Sequence, residues 1–234
     1  MEKIAVDAMG GDFAPLEIVL GSIQAVREFK IPVVLVGDKE QILTILKNNH
    51  EENNPLIEIH HASEVIEMGE HPGLAYRKKK DASVSVGARL VRAKECGALV
   101  APGSTGAAVT AGLLGIGRIK GIERPAILTP IPNEKGRYTY LIDSGASAQP
   151  KVETYVQNAI LGYIYASKVA GIKNPRIGLL NIGEEDTKGS PLVTEANKVL
   201  QNQSIIPFSG NAEGRDIMTG EFDVVVTDGF TGNV

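Results

Sequence analysis

The chain has 234 residues, a formal net charge of −4, 43% apolar and 22% charged residues, which is the composition of an ordinary globular protein. The acidic balance and the 5% aromatic content argue against nonspecific nucleic-acid binding, and no apolar run approaches the ~20 residues needed to cross a bilayer. The single cysteine, Cys96, excludes an internal disulfide framework or a multi-cysteine metal site, fits a reducing compartment, and predicts a cytoplasmic address.

From the start of the chain, residues 4–6 read as a buried strand that breaks at Gly10-Gly11-Asp12, with no basic-then-apolar leader pattern. A helical pattern over 15–29, a strand at 33–36, a helix over 39–48 and a strand at 57–59 follow. A basic run, Arg77-Lys78-Lys79-Lys80, precedes a helix over 83–95, for which Asp81 or Ser83 is the expected cap. Cys96 lies just past that helix, before a strand at 99–100, and reads as a buried structural thiol. The histidines at 50, 60, 61 and 71 lack ligand spacing and read as surface residues.

The second half continues with a helix over 105–119, strands at 126–128 and 140–142, a helix over 152–169, a strand at 177–180, a helix over 192–201 and a strand at 224–226. Strand alternating with helix predicts one α/β catalytic domain over 1–234. In it a three-layer, largely parallel sheet carries helices on both faces. The last strand is followed by a turn and what reads as the opening of a helix at Asn233-Val234, so further chain is expected there.

Glycines and small polar residues collect after the strands, at 7–12, 37–38, 102–106, 143–147, 181–186 and 228–233. In an open parallel sheet, ligands bind beyond the carboxyl ends of the strands, so these loops are expected to share a cleft. Gly103-Ser104-Thr105-Gly106 opens a helix and serves equally as an anion site or an ordinary cap, with Gly106 allowing close approach of a ligand. It is neither a P-loop nor a dinucleotide fingerprint. The 228–233 turn joins Asp228, Gly229, Thr231, Gly232 and Asn233, and the Asn233 carboxamide is fit to donate to an oxyanion or phosphate oxygen. Asp223 and Asp228 fall on opposite faces of their strand, against a shared metal. Lys188 stands among Glu184, Glu185 and Asp186, either as a mobile cation over a cleft or as part of a solvated loop, with magnesium an alternative for the three acids.

Together the opening Asp-Ala-Met-Gly-Gly-Asp at 7–12, the basic run, the segment 117–125, residues 178–181 and the closing 223–234 resemble one family, the phosphate acyltransferases (PlsX) of bacterial phospholipid synthesis. The resemblance spans the chain. It implies the isopropylmalate dehydrogenase and phosphate acetyltransferase type of fold. The implied reaction converts a long-chain acyl-acyl carrier protein and inorganic phosphate to acyl phosphate, with no metal or other cofactor. It places Lys188 and Asn233 at the catalytic positions, and we assign substrate binding to Asp7, Gly10, Gly11, Asp12, Gly103, Ser104, Thr105, Gly106, Asp228, Gly229, Thr231 and Gly232. Arg77, Lys78, Lys79 and Lys80 become the expected dock for the acidic carrier protein. A homodimer, peripheral contact with a membrane surface, and a downstream glycerol-phosphate acyltransferase are the remaining implied partners. Two positions depart from the family pattern: Ser104 and Ser147 stand where it has Asn. A metal-dependent decarboxylating dehydrogenase of the same fold group and a peripheral membrane scaffold are the alternatives.

Overall fold

A computed structural model describes residues 2–233 and divides the chain into two compact units, residues 1–120 and 121–234. The first holds a fully parallel four-stranded sheet ordered β3-β2-β1-β4, formed by β1 (Ile4–Asp7), β2 (Val33–Gly37), β3 (Ile57–His61) and β4 (Ala98–Val100). Because successive side chains of a strand point to opposite faces, Val6, Val33 and Leu35 join one core with Val19, Ile23 and Val26 of α1 (Leu16–Phe29) and with Ile42 and Leu46 of α2 (Lys39–Asn48). Ala5, Val34 and Val36 face the opposite way, toward Val86 and Leu90 of α4 (Ser83–Arg92) and toward Cys96, whose thiol is pushed up by burial. Helices therefore cover both faces, as parallel strands require.

α2 starts where the sequence places it, with Asp38 accepting from the Gln41 amide at 2.9 Å. The cap expected for α4 does not form. Ala82 takes that position because residue 82 pairs as an isolated β-bridge with Glu64, and the Asp81 carboxylate turns away to accept from the Ser63 amide and hydroxyl at 2.9 and 2.7 Å. A short helix without a sequence-level signal, α3 (Pro72–Lys78), precedes it, with Pro72 in the first turn and the His71 imidazole accepting from the Leu74 amide. α5 (Thr105–Thr110) continues into a π-helical segment, Ala111–Ile116, and stops at Gly117 with φ 110°, three residues short of the expected end at 119.

The second unit has its own five-stranded sheet, ordered β5-β6-β9-β7-β8, so the strands lie in two sheets rather than one. β6 (Tyr138–Ile142), β7 (Ile177–Leu180), β8 (Phe208–Ala212) and β9 (Val224–Val226) run parallel, whereas β5 (Leu128–Pro132) pairs antiparallel with β6 and forms an edge that carries Pro130 and Pro132. β5 begins two residues later than the apolar run at 126–128 suggests. α6 (Val152–Lys168) and α7 (Pro191–Gln201) cover one face, where Tyr155, Ala159 and Leu200 meet Ile142, Leu179, Val224 and Val226. α6 lies directly on β9: a methyl group at Gly162 would stand 2.6 Å from Val224 Cγ1. The opposite face, with Leu141, Val225 and Ala212, meets the one-turn α8 (Asp216–Thr219) through Ile217. A short 3₁₀ turn, Thr231–Asn233, stands where a helix opening is expected, and Val234 lies outside the described residues.

Candidate active site

In the first unit the loops after β1 and β4 come into close contact at Gly10 and Gly103. A Cβ on Gly10 would lie 2.8 Å from Asp7 Oδ2 and 2.9 Å from the Gly103 amide, and one on Gly103 would lie 3.0 Å from Gly10 Cα. No side chain fits at either position, so these glycines join two loops before they offer anything to a ligand. Gly11 needs its φ of 101°, which a side chain would strain. Asp7, only 5% exposed, accepts from the Met9 amide at 3.2 Å, while the buried Ser83 hydroxyl faces it without completing a hydrogen bond. Burial pushes the Asp7 carboxyl above the ordinary aspartate value, and the Ser83, Met9 and Gly10 groups oppose this only in part. Asp12 and Thr105 are exposed.

Ser104 caps α5, its hydroxyl accepting from the Ala107 amide at 3.4 Å. Gly106 corrects an expectation: the space above its Cα is filled by the Pro72 ring, so it serves the packing of α3 on α5 and not the approach of a ligand. The basic run also divides. Arg77, Lys78 and Lys80 are exposed, but the Lys79 ammonium is committed to Glu70 and to the Val65 carbonyl, both at 2.6 Å, because it bridges the loop before α3. Lys79 is therefore removed from the docking set.

In the second unit three loops leave the carboxyl ends of β6, β7 and β9. The loop after β7 is pinned by Asn181. Its Nδ2 donates to the Lys188 carbonyl at 2.9 Å, its Oδ1 accepts from the Ile182 amide at 2.8 Å, and the carboxamide occupies the place of a side chain at Gly189, whose φ is 97°. A second anchor comes from below, where buried Asn197 of α7 donates to Asn211 of β8 at 2.8 Å and Asn211 donates to the Glu185 carbonyl at 2.9 Å. The Lys188 side chain is left half exposed, with Glu185 at 4.0 Å. Glu184 turns to Arg215 instead. Among the described residues no group of His, Cys, Asp or Glu side chains is arranged to hold a metal ion.

After β9, Asp228 builds the turn that ends at Asn233. Its Oδ1 accepts from the Phe230 and Thr231 amides at 2.9 and 2.8 Å, and its Oδ2 accepts from the Thr231 hydroxyl at 2.8 Å. Burial opposes its charge, but the bonds from Thr231 and Phe230 prevail and hold the carboxyl below the ordinary value. The buried Tyr155 hydroxyl of α6 donates to the same Oδ2 at 3.4 Å, and burial, with Asp228 beside it, drives that phenol well above its usual range.

The loop after β6 turns around Asp143. This carboxylate, 1% exposed, accepts from four backbone amides: Ile127, Gly145 and Ala146 at 3.1, 3.1 and 2.9 Å, and Ser147 at 2.8 Å. Neither Asp143 nor Tyr155 stands out in the sequence. An acid directly at a strand end and followed by Ser-Gly-Ala-Ser is the one signal that points to Asp143.

Gly189 and Ser190, beside Lys188, and Asp228, Thr231 and Gly232, beside Asn233, line one cavity of about 790 Å³ whose remaining wall includes Leu180, Leu192, Val193 and Phe230. Lys188 and Asn233 are not themselves among the residues that line it; each adjoins lining residues, on the loops that follow the paired strands β7 and β9.

The fold is shared with solved phosphotransacylases. It superimposes on a phosphotransacetylase from Streptococcus pyogenes with a TM-score of 0.70 at 16% identity, over 99% of this chain and 79% of the other. A branched-chain phosphotransacylase from Enterococcus faecalis aligns with a TM-score of 0.65 at 17% identity, over 100% and 82%. At these identities the likeness is one of fold.

Sequence carries the assignment further, since the model of the family described as "Fatty acid synthesis protein" matches residues 2–234. The chain is 50% identical over 232 residues to the phosphate acyltransferase of Pelotomaculum thermopropionicum, covering 99% of this chain and 67% of the relative. It is likewise 50% identical over 234 residues to that of Aquifex aeolicus, covering 100% and 68%. The chain belongs to the phosphate acyltransferase family, and it spans about two thirds of the length of these relatives.

Proposed function

We propose that the chain transfers a long-chain acyl group from the thioester of an acyl carrier protein to inorganic phosphate. A phosphate oxygen attacks the thioester carbonyl carbon, the carbon–sulfur bond breaks, and the thiolate leaves and takes up a proton. Two negative charges meet in this step, that of the phosphate and that of the developing oxyanion. The observation that supports the reading is that Lys188 and Asn233 stand on the loops after the paired strands β7 and β9, each next in sequence to residues that line one cavity. Lys188 neutralises the phosphate, and Asn233 donates to the oxyanion or to a phosphate oxygen. Exposed Arg77, Lys78 and Lys80 receive the carrier protein. The same reading includes a homodimer, a cytoplasmic address, and peripheral contact with a membrane surface and with the glycerol-phosphate acyltransferase that consumes the product.

Phosphate-dependent release of free thiol from acyl-acyl carrier protein, measured with a chelator present, tests the reaction. Thiol release that is indifferent to phosphate overturns it. Lys188→Ala and Asn233→Ala are each expected to lower turnover by about 100-fold, the loss that follows removal of one oxyanion donor; turnover close to that of the parent rejects the assigned roles.

A further inference from the structure

We infer that Asp143 is the positioning residue for Asn233, an inference that rests on Asn233 acting in the proposed acyl transfer. The two residues stand on different loops, after β6 and at the end of the β9 turn, and contacts that join those loops involve Asp143 and the residues whose amides it binds. Four backbone N–H groups converge on its carboxylate, and they fix residues 145–147 as a rigid curl. The β9 turn is seated on that curl at three places. The Gly229 amide donates to the Ser147 carbonyl at 2.9 Å. A Cβ on Gly229 would lie 2.9 Å from Asp143 Oδ2 and 2.7 Å from the Ser147 amide, so the turn comes as close as a backbone can. Gly232, immediately before Asn233, is pressed in the same way against the Asp143 carbonyl. The third seat is Asn233 itself, whose Oδ1 stands 3.4 Å from where a Cβ would extend from Gly145, a residue whose φ of 145° is held by its own bond to Asp143.

Bonds to a buried charge are among the stronger hydrogen bonds in proteins, so this curl resists displacement. Misplacing a catalytic donor by about 1 Å costs on the order of 100-fold in rate, which is the scale on which Asp143 acts without touching substrate. An asparagine at this position keeps the shape but not the bonding, because with its oxygen toward Gly145 and Ala146 its amide N–H faces the Ser147 N–H, donor against donor.

The test is a double-mutant cycle on turnover, using the parent, Asp143→Asn, Asn233→Ala and the double variant, each checked for folding by circular dichroism. Asp143→Asn is expected to lose about 10- to 100-fold, and to lose little more when Asn233 is already gone, because residues that act as a unit are not additive. Independent losses that multiply in the double variant overturn the inference and assign Asp143 a general structural role. Near-normal turnover of Asp143→Asn beside an impaired Asn233→Ala overturns it and leaves the role of Asn233 standing. Near-normal Asn233→Ala removes that role and the inference with it. Should Asp143→Asn fail to fold, Gly229→Ala takes its place in the cycle, since it wedges a methyl group between the turn and the curl without changing a charge; full activity of that variant overturns the inference.

Discussion

Asp7 is held where its charge is unwelcome. Its carboxyl is raised mainly by burial, so the folded state binds the proton more readily than the unfolded chain does, and stability falls as pH rises from the ordinary aspartate value of 3.8 through the folded value. Asp228 shows the opposite sign. Its lowered carboxyl stabilises the fold above 3.8, and that contribution is lost as pH falls through the folded value. Thermal melts across pH 2.5–7 are therefore expected to separate two conservative variants. Asp7→Asn melts above the parent at pH 7, with the gap closing in acid, whereas Asp228→Asn melts below it at pH 7 and approaches it in acid. A parallel response of the two variants refutes this account.

At the scale of elements, legibility in the sequence followed the strength of the local signal. α2 and β7 have the predicted bounds because the strand's apolar run is uninterrupted and the helix has Asp38 to start it. β8 was invisible: Phe208-Ser209-Gly210-Asn211-Ala212 has neither alternation nor a β-branched residue, and it is a strand because β7 offers it a parallel partner. α3 was missed because seven residues opening with Pro-Gly carry too little periodicity, although Pro72 then proves to be the piece that seats α5. Lys188 and Asn233 were singled out through the family resemblance, since residue type alone left Lys188 as readily in a solvated loop as over a cleft. The contacts of Asp143 and Tyr155 were not legible, because the backbone amides and the carboxylate they bind are brought to them only by folding. The α3–α5 seat makes a measurable difference between two glycines of one helical run. Gly106→Ala drives a methyl into Pro72 and is expected to cost about 1–3 kcal/mol, whereas Gly112→Ala meets nothing within 4 Å and should be neutral or stabilising by up to about 1 kcal/mol. Equal denaturant midpoints for the two variants would argue that α3 does not depend on this contact.

For the molecule as a whole, exposed Arg77, Lys78 and Lys80 stand out against an overall charge of −4, and the proposed function assigns them to docking an acidic carrier protein. Reversing these three charges is expected to raise the KM for acyl-acyl carrier protein by about 10-fold at low salt, with the difference shrinking as salt is added, and to leave kcat near that of the parent. Lys79→Glu is expected to act differently, lowering the melting temperature through its lost bonds to Glu70 and Val65. If all four basic residues respond alike, the distinction drawn between docking and bridging lysines is wrong.

One further property follows from how the second sheet is finished. β5, the edge beside β6, brings Pro130 and Pro132 to alternate positions of a five-residue strand. Each removes an amide donor from the rim, and an edge without regular donors is a poor template for another strand. The strand that closes the sheet thus also guards it during synthesis and refolding, when such rims are exposed to other chains, and the molecule gains protection from aggregation along that edge.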